Sequence, residues 1–165
     1  GIDSFKIEGR MKTALYVATV ARTYRRAIDD YKTDPKLYEA NLEWYKEEIG
    51  KCTYREFTTG FYFGKPDENA QIYDSNTYVK NYKYLGTVEE TDGDGRCRIE
   101  QKNKFSVGET IEVMKPDGRN LAAVVKGIYD EEGNARESAP HPKEILWVEL
   151  DQETDTYDIL RRREP

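Results

Sequence analysis

The hydrophobic period of the chain changes near residue 75, and this change limits the fold more than any other feature. Before it, apolar residues recur every three or four positions, as they do in amphipathic helices. After it, short alternating segments are separated by glycine-containing turns, which is typical of antiparallel sheets. The sequence therefore predicts an α+β fold, with a helical first part and an all-β second part.

The strongest helical signal begins near Thr13 and ends near Thr33. Its apolar positions form one stripe, which consists of Val17, Val20, Ala21, Tyr24, Ala27, Ile28 and Tyr31. Such a stripe predicts a helix that packs on a neighbour. The opposite face carries Arg22, Arg25, Arg26, Asp29 and Asp30. Because Arg25–Asp29 and Arg26–Asp30 are i,i+4 pairs, we interpret this face as solvated rather than as an RNA contact.

A second helix is predicted over residues 35–49, packed on the first. Asp34 can accept a hydrogen bond from its first turn, and Pro35 suits that turn. Gly50 ends the pattern. Farther on, the three aromatic residues 61–63 lie between glycines, and we expect them to pack over an interface, with a ligand-facing surface as the alternative.

The second part has the pattern of a small antiparallel β-barrel, because its strands are short, evenly spaced and joined by glycine turns. Residues 92–95 read as a hairpin turn rather than a calcium loop, since the distal glutamate of an EF-hand is absent. Six strands are predicted, over residues 82–90, 96–102, 109–115, 121–129, 145–150 and 157–161.

The beginning of the chain predicts one more strand, at residues 5–8, where apolar and polar residues alternate before Gly9. A lone strand followed by a helix leaves its own hydrogen-bonding edge unpaired. We therefore expect its sheet to lie in a larger protein, of which this chain is a C-terminal piece, and expect the missing part to be its partner.

Composition excludes some classes of protein. The net charge is −6, so that binding of nucleic acid would have to depend on a local basic patch. No apolar run reaches the roughly twenty residues that a membrane span needs.

Cys52 and Cys97 stand alone, which favours reduced thiols and a cytoplasmic protein. We expect no metal site in the chain, and we interpret His141, the only histidine, as an exposed loop residue.

Several stretches resemble peptidase family U32, which includes collagenase-like peptidases and relatives linked to hydroxylation of tRNA and rRNA. The resemblance runs in order along nearly the whole chain. Its segments are FKIEGRMK at 5–12, YV at 16–17, YRRAID at 24–29, TTGFYFG at 58–64, NKFSVGE at 103–109, APHP at 139–142 and DILRR at 158–162.

This resemblance implies three regions. Residues 1–50 would hold the last βα unit of a truncated catalytic α/β barrel and a connecting helix, and residues 51–75 would be an aromatic linker. Residues 76–165 would be a β-barrel like the second domain of elongation factor Tu. Several family members carry an iron–sulfur cluster on four cysteines, which we expect upstream of residue 1. Neither cysteine of this chain matches a cluster position.

Two sets of candidate site residues follow. Lys6, Glu8 and Arg10 would stand at the rim of the parent barrel, where α/β barrels hold their active sites; alternatively, Lys6 and Glu8 only hold that barrel closed. The second set interleaves basic and aromatic residues, as in surfaces that contact RNA or another substrate. It consists of Tyr82, Tyr84, Arg96, Arg98, Lys102 and Lys104.

Three functions remain open at this point. The first is a C-terminal accessory region, for substrate recognition or structure, of a collagenase-like peptidase, not catalytic by itself. The second is an RNA-binding module of a tRNA or rRNA hydroxylation protein. The third is a dimerisation or stabilising domain.

Overall fold

The structure is a computed structural model that describes residues 3–52, 60–65, 81–93 and 95–164. The predicted boundary near residue 75 and most of the predicted linker lie outside the described residues.

Three helices form the first part: α1 (Ala14–Thr33), α2 (Pro35–Ala40) and α3 (Leu42–Ile49). The hydroxyl of Thr13 caps α1 by accepting a hydrogen bond from the Tyr16 amide, 3.3 Å away. Asp34 caps α2 through the Lys36 amide at 2.9 Å, as predicted. The single helix predicted over 35–49 is instead interrupted at Asn41, whose side chain donates to Asp30.

Aromatic contacts hold the helices together. The Tyr38 ring lies 5.7 Å from the Tyr31 ring and 5.6 Å from the Tyr45 ring, measured between centroids. The Tyr45 hydroxyl donates to Asp30 at 2.5 Å. Burial, together with this carboxylate, raises the pKa of Tyr45 to about 12. The predicted packing of the first helix on residues 35–49 is therefore confirmed.

The second part contains nine strands in the described residues. They are β1 (Tyr82–Thr91), β2 (Arg96–Glu100), β3 (Phe105–Ser106), β4 (Thr110–Met114), β5 (Asn120–Tyr129), β6 (Ala135–Arg136), β7 (Ser138–Ala139), β8 (Ile145–Leu150) and β9 (Ile159–Arg163). All six predicted strands are present, with ends that differ by up to two residues. The sequence did not predict β3, β6 and β7, each of two residues.

Every strand pair in the described part of the chain is antiparallel. The main sheet has the order β4-β9-β1-β2-β8-β5-β6, and β4 also pairs with β5. The six longer strands therefore pair in a closed sequence. Their inward side chains form one core, which includes Leu85, Val88, Ile99, Val113 and Leu160. Along β2, Cys97 and Ile99 point inward and Arg96 and Arg98 outward, as predicted.

Residues 3–9 form no strand in this chain, where no described strand lies beside them, and their pairing with the sheet of a larger protein stays a prediction. The predicted apolar stripe of α1 is only partly its buried face. Val20 is buried, but Val17, Tyr24 and Tyr31 are exposed, while Thr19 and Arg22 of the other face are buried.

The aromatic residues Phe61, Tyr62 and Phe63 are 72–82% exposed in this chain. Their packing over an interface, or their use as a ligand-facing surface, stays a prediction. Among the described residues, no helix is both long enough and apolar enough to cross a lipid bilayer.

Candidate functional site

The helices meet the sheet through buried charges. Arg22 of α1 donates through Nη2 to Glu48 of α3 and through Nη1 to the Lys115 carbonyl, 2.8 Å away. Arg161 of β9 donates through Nη2 to the same Glu48 oxygen at 2.6 Å. Arg161 also donates through Nε to Glu112 of β4, at 2.6 Å. We call this group, Arg22, Glu48, Glu112 and Arg161, the ionic joint.

Further contacts complete the joint. Asn120 of β5 donates to the second oxygen of Glu48 at 2.8 Å, and the Lys51 ammonium lies 3.1 Å from that oxygen. The side chains of Glu48 and Arg161 are both fully buried. Two helices and two strands thus meet at one carboxylate, and β4 joins them through the contact of Glu112 with Arg161.

Electrostatics favours the charged form of Glu48. Burial alone would raise the pKa of this carboxyl, but the positive charges of Arg161 and Arg22 outweigh it and hold the pKa below its ordinary value. The pKa of Arg22 is lowered, chiefly by burial. A buried ion pair of this kind stabilises the fold only while the carboxylate and its cations are all charged. Removal of one partner leaves an unpaired buried charge, which lowers the stability of the protein.

The burial of Arg22 corrects the expectation that the polar face of α1 is solvated. Arg25 and Arg26, on the same face, do form the predicted pairs with Asp29 and Asp30. Arg22 faces the sheet because its partners, Glu48 and the Lys115 carbonyl, come from distant parts of the chain. The position of Arg22 in the helical pattern of α1 did not indicate that its side chain is buried.

The candidate rim residues lie on the exposed segment before α1. The Lys6 ammonium is 2.9 Å from Glu8, and both side chains are mostly exposed. Arg10 is exposed as well. The structure brings Lys6 and Glu8 together, and their role at a catalytic rim stays a prediction.

The structure does not bring the six candidate RNA-contact residues together. Tyr82 lies opposite Arg163 at the start of β1, whereas Arg98 lies opposite Glu90 near its end. Eight residues of strand separate these points by about 26 Å. Two ends of the sheet must therefore be considered separately.

At the far end of β1, the cations are paired. Arg98 contacts Glu89 at 2.5 Å and lies within 4.0 Å of Glu90 and Glu131. The Arg96 guanidinium lies over the Tyr129 ring, 4.2 Å from its centroid. These pairs and the surrounding carboxylates make this end a poor surface for a polyanion.

Tyr84 and Lys102 are also engaged within the fold. The Tyr84 hydroxyl lies 2.7 Å from that of Thr87, and its ring packs on the small buried cluster of Leu15, Met114 and Ile159. Lys102 pairs with Glu100, which raises the pKa of the lysine.

At the near end of β1, two polar clefts flank the β1–β9 pair. One, of about 730 Å³, is lined by Lys46, Glu47, Gly50, Lys51, Asn81, Tyr82, Arg163 and Glu164. The other, of about 480 Å³, is lined by Lys83, Asn103, Lys104, Ser106, Glu109 and Arg162. We call their six cations, Lys46, Lys51, Lys83, Lys104, Arg162 and Arg163, the basic edge.

Only Tyr82 and Lys104 of the sequence candidates belong to this region. The run Arg161–Arg163 was the signal that could have found it, once β9 was placed beside β1. That pairing depends on contacts between strands almost eighty residues apart, which no local pattern reveals.

The cysteines do not fit an iron–sulfur cluster. The chain has two cysteines, and such a cluster needs four thiolates. Cys52 is buried next to α3 and Cys97 in the core of the sheet. Burial raises the pKa of each thiol to about 11. Within the described residues, no group of three histidine, cysteine or acidic side chains could hold a metal. His141 lies exposed in a loop, as expected.

Comparison with known proteins identifies the family. The model of peptidase family U32 matches residues 1–72, and that of the peptidase family U32 C-terminal domain matches residues 80–161. This chain belongs to peptidase family U32.

Several curated relatives are similar over most of the chain. Identity is 36% over 98% of the chain to tRNA hydroxylation protein P1 of Bacillus subtilis and 32% over 98% to tRNA hydroxylation protein P of Escherichia coli. Identity to a collagenase of Porphyromonas gingivalis is 32% over 70% of the chain. The chain spans 38%, 35% and 32% of the length of these three proteins, respectively.

Proposed function

We propose that this chain is the C-terminal accessory region of a tRNA hydroxylation protein, where it helps to place tRNA and does not itself catalyse the reaction. The relatives from B. subtilis and E. coli, which carry that name and match along 98% of the chain, support this assignment. The missing part of the protein would supply the catalytic groups and would be the first partner of this chain.

The ionic joint is the observation that carries the proposal. A region that places a substrate must be held in one position relative to the catalytic part. Glu48 provides this, because it binds Arg22 of α1 and Arg161 of β9 at once. Residues 1–72 match the main family model and residues 80–161 the C-terminal one, so the joint connects the two matched parts.

We also infer that the closed sequence of strand pairs forms a small barrel that resembles the second domain of elongation factor Tu in architecture. The β4–β5 pairing, which joins the two ends of the strand order, supports closure. We place the iron–sulfur cluster of the family outside this chain, and we place the protein in the cytoplasm, where its tRNA substrate would be.

A truncation tests this function. The full-length protein, and a version that ends before β1, would each be expressed in cells that lack the native gene. Hydroxylated nucleosides in tRNA would be measured by mass spectrometry, with protein amounts matched by immunoblot. We expect the truncated protein to lose most tRNA hydroxylation and most affinity for tRNA. Normal hydroxylation by the truncated protein would contradict the proposal.

A second candidate function is favoured by the similarity to the P. gingivalis collagenase. In that case the chain would place a protein substrate for a peptidase. The same two proteins would then be compared on gelatin, and loss of gelatin cleavage without any effect on tRNA would favour this alternative.

A structural role is the third candidate, in which the chain stabilises or dimerises the parent. Light scattering of the full-length and truncated proteins at two concentrations separates this role from substrate placement. A dimer that becomes a monomer on truncation would favour it.

A further inference from the structure

We propose that the basic edge binds the phosphate backbone of RNA. This inference rests on the proposed function and names the surface through which the chain would contact its tRNA. Its residues come from α3 and the position just after it, from the paired ends of β1 and β9, and from the turn before β3.

The first argument is a cross-strand pair of like charges. Lys83 of β1 lies directly opposite Arg162 of β9. Like charges in this position repel each other and destabilise a sheet. The fold compensates with Glu164, 2.6 Å from Lys83, and with Glu109, which pairs with Arg162. Since these side chains are partly exposed, the pairs are weak and a phosphate could replace a carboxylate.

The second argument is the presence of cations without partners. Lys104 and Arg163 are exposed and form no ion pair with any described residue. Arg98, by contrast, lies among three carboxylates. Lys104 and Arg163 therefore lie close to the paired ends of β1 and β9, whereas Lys126, another exposed lysine with no ion pair to a described residue, lies on β5.

The third argument is charge balance. The two clefts are lined by six cations and three carboxylates, Glu47, Glu109 and Glu164, in a chain whose net charge is −6. Lys46 and Lys51 also pair with Glu43 and Glu48, so the positive excess at the edge comes from Lys104 and Arg163. A local positive region on an acidic protein attracts a polyanion to that region. Asn81, Asn103 and Ser106 add polar groups for phosphate or ribose oxygens.

The shape favours an extended ligand over a small molecule. Neighbouring residues of a strand point to opposite faces, so Lys83 and Arg162 line one cleft while Tyr82 and Arg163 line the other. A chain of phosphates that crosses the β1–β9 pair can contact both. The Tyr82 ring already has Arg161 and Lys51 near it, at 5.1 and 5.8 Å, so we assign backbone contacts here and no base stacking.

A charge-reversal experiment on the full-length protein tests this inference. The variant K104E/R163E would be compared with K36E/K126E, a control that changes the net charge equally at exposed lysines outside the basic edge. Binding of bulk tRNA would be followed by fluorescence anisotropy between 50 and 200 mM KCl, salt concentrations over which phosphate contacts weaken strongly.

We expect the basic-edge variant to raise the dissociation constant about tenfold at low salt and to reduce the slope of log K against log salt by about two, one for each lost cation. The control should change binding less than about twofold. Equal weakening by the control, or no effect of K104E/R163E, would overturn the inference. Tight binding of polyglutamate at the same residues, with no tRNA binding, would also overturn it and point to an acidic peptide.

A hydroxylation assay separates this inference from the proposed function. Normal tRNA hydroxylation by K104E/R163E, together with its loss on truncation before β1, would refute the basic edge and leave the proposed function standing. Normal hydroxylation by both proteins would refute the proposed function itself.

Discussion

Glu48 of α3 and Arg161 of β9 are 113 residues apart in the sequence, yet their side chains lie 2.6 Å apart and neither is exposed to solvent. The same carboxylate oxygen accepts a hydrogen bond from Arg22. Glu48 thus contacts both buried guanidinium groups, and Glu112 supplies a second carboxylate to Arg161. The connection between the helices and the sheet is therefore electrostatic at its centre.

The first prediction concerns the removal of this carboxylate. Glu48→Ala leaves two buried cations without their shared partner and should destabilise the protein by about 3–5 kcal/mol. Urea unfolding followed by far-UV circular dichroism would measure the loss. The neighbouring Glu47 is exposed, so Glu47→Ala should change stability by less than about 0.5 kcal/mol. Equal effects of the two variants would contradict the role of the joint.

The second prediction concerns pH. The pKa of Glu48 in the folded protein is below its ordinary value, since Arg161 and Arg22 outweigh the effect of burial. Stability from this group is therefore present in full above the pKa of the unfolded chain and is lost as the pH falls through the lower, folded-state pKa.

Glu48→Gln checks this dependence. At pH 7 it should be less stable than the wild type, and the difference should shrink as the pH falls below the ordinary glutamate pKa of about 4.3, because the unfolded wild-type chain then binds a proton that the folded one does not. Urea unfolding at a series of pH values measures it. Glu47→Gln serves as the control, and a Glu48→Gln difference that stays constant down to pH 3 would contradict the assignment.

The third prediction concerns Gly127 of β5. A Cβ at this position would lie 2.7 Å from the Tyr129 hydroxyl oxygen and 2.8 Å from the ring atom Cε2. Gly127→Ala should therefore displace the ring, weaken the Tyr129–Glu149 hydrogen bond of 3.0 Å, and destabilise the protein by about 1–3 kcal/mol.

A double-mutant cycle tests the cause. Gly127→Ala should lower the free energy of unfolding much less when Tyr129 is already alanine, because the new Cβ then has no tyrosine ring to clash with. Gly93→Ala is the matched control, since nothing lies within 4 Å of a Cβ at that position. Thermal unfolding measures all four variants, and an unchanged cost in the Tyr129→Ala background would show that the clash is not the reason.

The fourth prediction concerns the thiols. Burial raises the pKa of Cys52 and of Cys97 to about 11, so that both are protonated at pH 8. We expect Ellman's reagent to react slowly with either cysteine in the folded protein and rapidly with both in 6 M urea. Rapid reaction of either thiol with the reagent in the folded protein would mean that the structure around that cysteine unfolds locally and often.

Local signals were sufficient for most elements. The cap Asp34, the helical period that begins near Thr13 and the alternation along β2 identified their helices and strand because the evidence for each lies within a few residues. Strands β3, β6 and β7 were missed because two residues are too short to show a period.

The buried face of α1 could not be predicted in the same way. Val17, Tyr24 and Tyr31 of its apolar stripe are exposed although Val20 is buried, and Arg22, which looked like a surface residue, is buried as well. Arg22 can be buried only because Glu48 and the Lys115 carbonyl meet it. A charge pair between residues so far apart in the chain produces no local sequence pattern from which it could be predicted.

The candidate site was predicted only in part for a similar reason. Tyr82 and Lys104 lie in the clefts at the basic edge, whereas Arg96 and Arg98 lie at the other end of β1 among carboxylates. Their separation follows from strand register, which places Tyr82 beside Arg163 and Arg98 beside Glu90.

The distance along the chain between Glu48 and Arg161 has a consequence for synthesis on the ribosome. At translation rates of about 5–20 residues per second, roughly 6–20 s pass between the appearance of Glu48 and that of Arg161. During that interval α1 and α3 can pair with each other, but the contact that sets them against the sheet does not yet exist. β9, which leaves the ribosome after the other described strands, therefore completes the attachment of α1 and α3 to the sheet.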